Sequence, residues 1–232
     1  MLLGISLVYA LPLTFPYTEI RLMTLDETKS ISFGRRYDAQ WKRVGPGILR
    51  FQGNWNGDEA STDQLRKLLN EPVELVRIVK SGGGVTDEAI ANAELLLPFK
   101  PRIVVEDLCA SSCANYLLPI ASEINVRPQA VIGYHGTICE VLANDDSCER
   151  EQAFWDKLPN GDRISQLPVG LRLIELPPIG QGWMPTKQDF IDYGYPPITF
   201  DWYPEPYKKT AYGVYVAPVP LEARINIKLN ND

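Results

Sequence analysis

Between residues 48 and 135 the apolar positions come in short bursts whose spacing changes from one burst to the next. Ile48, Leu49 and Phe51 form a run too short for a helix and stop at Gly53, which predicts a strand. Leu65, Leu68 and Leu69 then share one helical face within 62–69. Leu75, Val76, Ile78 and Val79 predict a second strand, Gly82-Gly83-Gly84 a turn, and 85–97 a second helix with Ala89, Ile90, Ala93, Leu96 and Leu97 as its apolar stripe. Ile103, Val104 and Val105 follow Pro101 as a third strand, and 113–121 reads as a third helix that Pro119 must kink or shorten. Val131 and Ile132 open a fourth strand ending at Tyr134-His135. Strands alternating with helices predict an α/β domain with a largely parallel sheet and right-handed crossovers. Reactive groups on such a sheet belong at the C-terminal ends of its strands.

The flanks are less regular. Gly45-Pro46-Gly47 punctuates the chain and marks the expected start of a domain over residues 44–200. Past Cys139 come an acidic loop around Asp145-Asp146 and proline-rich stretches at Pro177-Pro178 and Pro196-Pro197. Thr186 and Asp189 stand in the spacing of a capping box, and Gly194 is placed to end the short helix predicted over 187–193. Residues 201–232 read as a C-terminal extension with one or two edge strands. Residues 1–20 are an apolar arm without a charged side chain before Glu19. Pro12 and Pro16 interrupt it, so it fits the apolar region of a signal peptide better than a membrane span, although no Lys or Arg precedes it.

Composition narrows the classes of function. A net charge of −6 without clusters of Lys and Arg argues against a nucleic-acid partner. The four cysteines, Cys109, Cys113, Cys139 and Cys148, make an even set, which in an exported chain means disulfides. Pairing Cys139 with Cys148 would staple the polar loop between them. Neither pair has the C-x-x-C spacing of structural zinc, and the chain has no Walker-type phosphate loop, so neither a metal nor a cofactor is expected. A periplasmic or secreted location follows from the arm and the cysteines; reduced thiols in the cytoplasm are the alternative.

Three segments end predicted strands in turns: Ser81-Gly82-Gly83-Gly84, Ala110-Ser111-Ser112-Cys113 and Tyr134-His135. A hydroxyl nucleophile needs a base beside it and backbone N–H donors aimed at the developing oxyanion. The segments supply one part each. In order and kind they resemble the Clp protease proteolytic subunit and the crotonase superfamily, whose proteolytic members carry a Ser-Pro-Gly-Gly turn, an Ala-Ser-Ser or Ala-Ala-Ser elbow and a histidine on the next strand. The 23-residue step from Ser112 to His135, the chain's one histidine, is close to the family's. The resemblance is convincing over 47–135 and weaker to Gly194.

It implies a repeated ββα spiral, with Ser112 as nucleophile, His135 as general base, and the amides of Gly84 or Gly83 and of Cys113 as the oxyanion hole. Ser111 is the rival nucleophile. It further implies a serine peptidase-like hydrolase acting on a peptide or protein and a homo-oligomeric assembly. The alternatives are a crotonase-like enzyme acting on acyl thioesters, which would bind coenzyme A, and a catalytically degenerate binding or assembly subunit. Two departures bear on activity. The family's proline is Gly82 here, and its triad acid aligns with Gly182, so Asp145, Asp146, Asp189 and Asp192 are the carboxylates left to consider. Of these, Asp189 reads as a cap and Asp145-Asp146 as a solvated loop. Cys109 and Cys113 bracket the elbow: paired they would constrain it, and reduced Cys109 is a small buried hydrophobe.

Overall fold

The computed structural model describes residues 38–128, 130–134, 136–137, 139, 146–168, 183–200 and 215–216. The N-terminal arm, Asp145, Gly182 and His135 lie outside the described residues. In chain order the elements are β1 (Gln40–Gly45), β2 (Ile48–Gln52), α1 (Ala60–Leu68), β3 (Leu75–Ser81), α2 (Thr86–Leu96), β4 (Arg102–Ala110), a π-helical turn (Cys113–Leu117), β5 (Glu123–Val126), β6 (Val131–Gly133), α3 (Asp146–Trp155), α4 (Gly161–Ile164), β7 (Trp183–Met184), α5 (Lys187–Asp192), β8 (Ile198–Phe200) and β9 (Tyr215–Val216).

Seven of these strands form one sheet in the order β1-β2-β3-β4-β5-β8, with β6 paired to the far end of β4. Only the β1–β2 hairpin is antiparallel; every other pairing in the sheet is parallel. The mixed α/β architecture with a mostly parallel sheet is the one expected. β1 lies ahead of Gly45-Pro46-Gly47, and Pro46 and Gly47 make its turn into β2. Alternation along the strands sends Leu49, Phe51, Val76, Ile78, Ile103, Val105, Ile124 and Val126 to one face, all with no exposed surface. Leu65 of α1 and Ala89, Ile90, Ala93 and Leu96 of α2 close that face into a single core. Each large aliphatic side chain so buried contributes roughly 1.5–3 kcal/mol.

Pro119 acts as predicted. It has no N–H to offer the carbonyl of Asn115, and the helix after the elbow widens into a π turn and then tightens into a 3-10 turn over Leu118–Ile120. The capping box also forms: the Thr186 hydroxyl accepts from the Asp189 amide and the Thr186 amide donates to the Asp189 carboxylate, with Gly194 at φ 73° closing the helix. Asp146 opens α3 and is not part of a solvated loop; the loop reading gives way to a helix that buries Glu151, Phe154 and Trp155.

Candidate active site

Sheet register brings the strand ends together. Between Ile78 and Lys80 of β3 the pairing with β4 slips, so that Ile78 faces Val105 but Lys80 faces Leu108 and Ser81 faces Cys109. Past the slip β4 leaves β5 and pairs with β6, Cys109 with Ile132 and Ala110 with Gly133. Bulges of this kind re-aim the residues that follow them. The Gly82-Gly83-Gly84 turn, the Ala110-Ser111-Ser112 elbow and the exit from β6 therefore begin at neighbouring register positions.

The elbow itself is sharp. Ser111 has a φ of 55°, in the left-handed region. Its amide donates to the Gly133 carbonyl at 2.7 Å and its carbonyl accepts the Asn115 amide at 2.8 Å, so it joins the β6 exit to the first helical turn. Ser112 follows with helical angles and is 4% exposed. The amides of Ser112, Cys113 and Ala114 then belong to a first helical turn, which offers them no acceptor within the helix. Such amides favour negative charge in front of them.

The glycine turn packs directly on this elbow. A Cβ on Gly83 would sit 2.7 Å from the Ala110 carbonyl, the Ser111 Cβ and the Ser112 amide, so no other residue type fits. Behind the turn, Trp55 clamps it by its backbone: the Trp55 amide donates to the Gly83 carbonyl and the Val85 amide donates to the Trp55 carbonyl, each at 3.0 Å. In planar trans peptides the C=O and the following N–H point opposite ways. With Gly83 C=O and Val85 N–H both turned to Trp55, the N–H and C=O of Gly84 must both face away from it. The Gly84 carbonyl there accepts the Ser112 hydroxyl at 2.7 Å. The Gly84 amide makes no hydrogen bond among the described residues, whereas the Gly83 amide is engaged by the Ser81 hydroxyl at 3.2 Å. The Trp55 ring stacks on Phe51 at 4.8 Å, and Phe51 on Trp41 at 4.5 Å, which anchors the clamp in the core.

Both cysteine pairs are disulfides, Cys109 with Cys113 and Cys139 with Cys148. The first spans the elbow from strand to helix, and both of its cysteines have no exposed surface. The second fastens the segment after β6 to α3. Asn115, buried beside the elbow, donates to the Gly136 carbonyl at 3.0 Å.

One carboxylate near these segments lay beyond the sequence reading. Glu151 of α3 is 1% exposed; it accepts the Tyr116 hydroxyl at 2.5 Å and the Cys139 amide at 3.1 Å. Burial pushes the Tyr116 phenol well above its ordinary value, and the Glu151 charge and hydrogen bond push it further, against the contrary pull of Thr86 and Asn115. The signal that could have found Glu151 is its spacing: Cys148, Glu151 and Trp155 stand at i, i+3 and i+7 on one helical face. The other carboxylates have separate tasks. Asp189 holds the capping box and Asp192 accepts from Gln188. Among the described residues no group of three or more His, Cys, Asp or Glu is placed to hold a metal ion.

No protein-family model matches the sequence, and no curated protein does. Solved structures similar to the chain include an enoyl-CoA hydratase from Mycobacterium avium subsp. paratuberculosis K-10, at 13% identity and a TM-score of 0.37 over 84% of this chain and 73% of that one. They also include the ClpP protease catalytic domain from Plasmodium falciparum, at 15% identity and a TM-score of 0.40 over 83% of this chain and all of that one. A putative enoyl-CoA hydratase from Streptomyces coelicolor A3(2) has 13% identity and a TM-score of 0.40 over 81% and 72% of the two chains.

Proposed function

We propose that the chain is a serine peptidase-like acyl hydrolase in which Ser112 is the nucleophile, His135 the general base, and the amides of Gly84 and Cys113 the oxyanion hole. The observation that carries this reading is the Gly84 peptide. Its carbonyl holds the Ser112 hydroxyl at 2.7 Å, and its amide, which makes no hydrogen bond among the described residues, faces the same side of the turn, at the head of a helix whose first amides have no acceptor within it. Gly83 is set aside as a donor, because its amide already serves Ser81.

In this reading the hydroxyl rests on Gly84 and must release that carbonyl to give its proton to the base. Giving up one such hydrogen bond costs about 1 kcal/mol net. As Ser112 Oγ bonds to the substrate carbonyl carbon, its proton passes to His135 and the carbonyl electrons move onto oxygen, facing the two amides. Collapse of that oxyanion breaks the bond to the leaving group, which takes the proton from His135. Water then attacks the acyl-enzyme by the same route and restores Ser112. Ser111 serves the turn: its left-handed backbone makes the corner, and its amide and carbonyl are both spent on holding it.

Two disulfides belong to an oxidising environment. Together with the apolar arm they support a periplasmic or secreted location. Homo-oligomeric assembly is proposed with the same reading.

The test is turnover of a panel of esters, peptides and acyl thioesters by the wild type and by Ser112→Ala. Ester or peptide hydrolysis that disappears in Ser112→Ala is the expected result. Thioester chemistry that survives the substitution would replace the hydrolase with an enolate-stabilising enzyme, and an inert wild type would leave a binding or assembly role.

A further inference from the structure

The site as proposed has no carboxylate where the Clp-like pattern puts one, because Gly182 stands there. Three ties converge on the short stretch after β6 from elements that carry the other parts. Asn115, on the helix that begins at Ser112, donates to the Gly136 carbonyl at 3.0 Å. Glu151 accepts the Cys139 amide at 3.1 Å and, with its other oxygen, the hydroxyl of Tyr116 on that same helix at 2.5 Å. Cys148 binds Cys139 through the second disulfide.

Cys148 and Glu151 are three residues apart on α3, so they share a face of the helix. Cys139 is thereby held at two points, by its sulfur and by its amide. A carboxylate that is 1% exposed is expensive to bury unless donors compensate it. Among its donors are one from the nucleophile's helix and one from the segment that follows His135. Buried ionisable groups are often replaceable by apolar residues of similar volume, so what Glu151 ties together is the feature to account for.

We propose that Glu151 is the carboxylate of this active site: a positioning residue that, through Tyr116 and the Cys139 amide, fixes the Ser112 helix and the segment after His135 in one geometry. The Cys139–Cys148 disulfide is the second half of the same clasp. This rests on the Ser112 hydrolase reading. A misplacement of about 1 Å at a reacting group costs on the order of 100-fold in rate, so loosening the clasp acts on the chemical step and leaves ligand affinity alone.

The experiment follows the rate at which a fluorophosphonate labels the wild type, Glu151→Gln, Tyr116→Phe and the double variant, each at several probe concentrations and with its melting temperature recorded. Tyr116→Phe removes one hydroxyl from a folded core and keeps the question open should Glu151→Gln fail to fold. The maximal labelling rate is expected to fall by roughly 10- to 100-fold in either single variant at an unchanged half-saturating concentration, with the double variant no slower than the worse single one. Wild-type labelling by folded Glu151→Gln and Tyr116→Phe would overturn the role of Glu151 and leave the hydrolase standing. A wild type that the probe never labels would overturn the hydrolase reading and this inference with it.

Discussion

At Ser111 the chain adopts a φ of 55°, in the left-handed region. A non-glycine residue in the left-handed region costs roughly 1–2 kcal/mol, and part of that returns on substitution by glycine, less its extra chain entropy. Ser111→Gly keeps that backbone geometry accessible and is therefore expected to fold and to leave labelling by a serine-directed probe intact, as read by circular dichroism and mass spectrometry. Loss of labelling in that variant would make Ser111 the nucleophile. Gly84 has no such latitude: at φ 127° an added Cβ would lie 2.1 Å from the Trp55 carbonyl. Gly84→Ala should lose at least about 3 kcal/mol or fail to fold, as checked by circular dichroism and melting. These positions were legible in the sequence because each ends a strand in a recognisable turn. Glu151 was not, since its one mark is the i, i+3, i+7 spacing with Cys148 and Trp155, and a charged residue in that stripe reads as the outer face until the packing of α3 buries it.

At the level of elements, the strands and helices with strong apolar periodicity formed where the sequence placed them, from β2 through α2. β5 escaped notice because Glu123–Val126 is four residues long with a single apolar pair on its buried face. α3 escaped because its buried stripe mixes Glu151 with Phe154 and Trp155, and a glutamate on the inner face breaks the pattern that amphipathic reading looks for. The two disulfides were open questions of pairing that spacing alone does not settle, and they differ in setting. Cys109 and Cys113 have no exposed surface, while Cys139 and Cys148 are half-buried. Mild reductant should open Cys139–Cys148 first and slow the labelling of Ser112, with Cys109–Cys113 reduced only on unfolding. Alkylation followed by mass spectrometry reads the order, and simultaneous reduction of both pairs in the folded protein would contradict it. By the chain-entropy relation the short Cys109–Cys113 loop is worth about 2 kcal/mol against the unfolded chain, so its chief effect is on the shape of the elbow.

For the molecule as a whole, three buried phenols tie the core to pH. Burial pushes Tyr116, Tyr134 and Tyr195 upward; the Glu151 charge adds to the first, and the neighbouring Tyr195 hydroxyl adds to the second. The unfolded chain ionises its phenols near the ordinary value of about 10, and the folded chain does so only higher. Below that value their contribution to stability is constant. As pH climbs past it the unfolded state releases protons that the folded state keeps, and stability falls by roughly 1 kcal/mol per pH unit for each tyrosine until the folded values are reached. Urea melts between pH 8 and 11.5 should show that decline, with the phenolate absorbance of these residues appearing together with unfolding. Phenolate absorbance from all the tyrosines in a protein still folded would contradict the packing described.

If Ser112, held on the Gly84 peptide at the head of its helix, is a nucleophile, a fluorophosphonate will mark it, and peptide mapping of the reacted protein reads the mark. A single phosphonyl adduct on the 110–116 peptide is expected, carried by Ser112 and absent from Ser112→Ala. An adduct on Ser111, or an unmodified peptide after prolonged exposure of the folded protein, would contradict it.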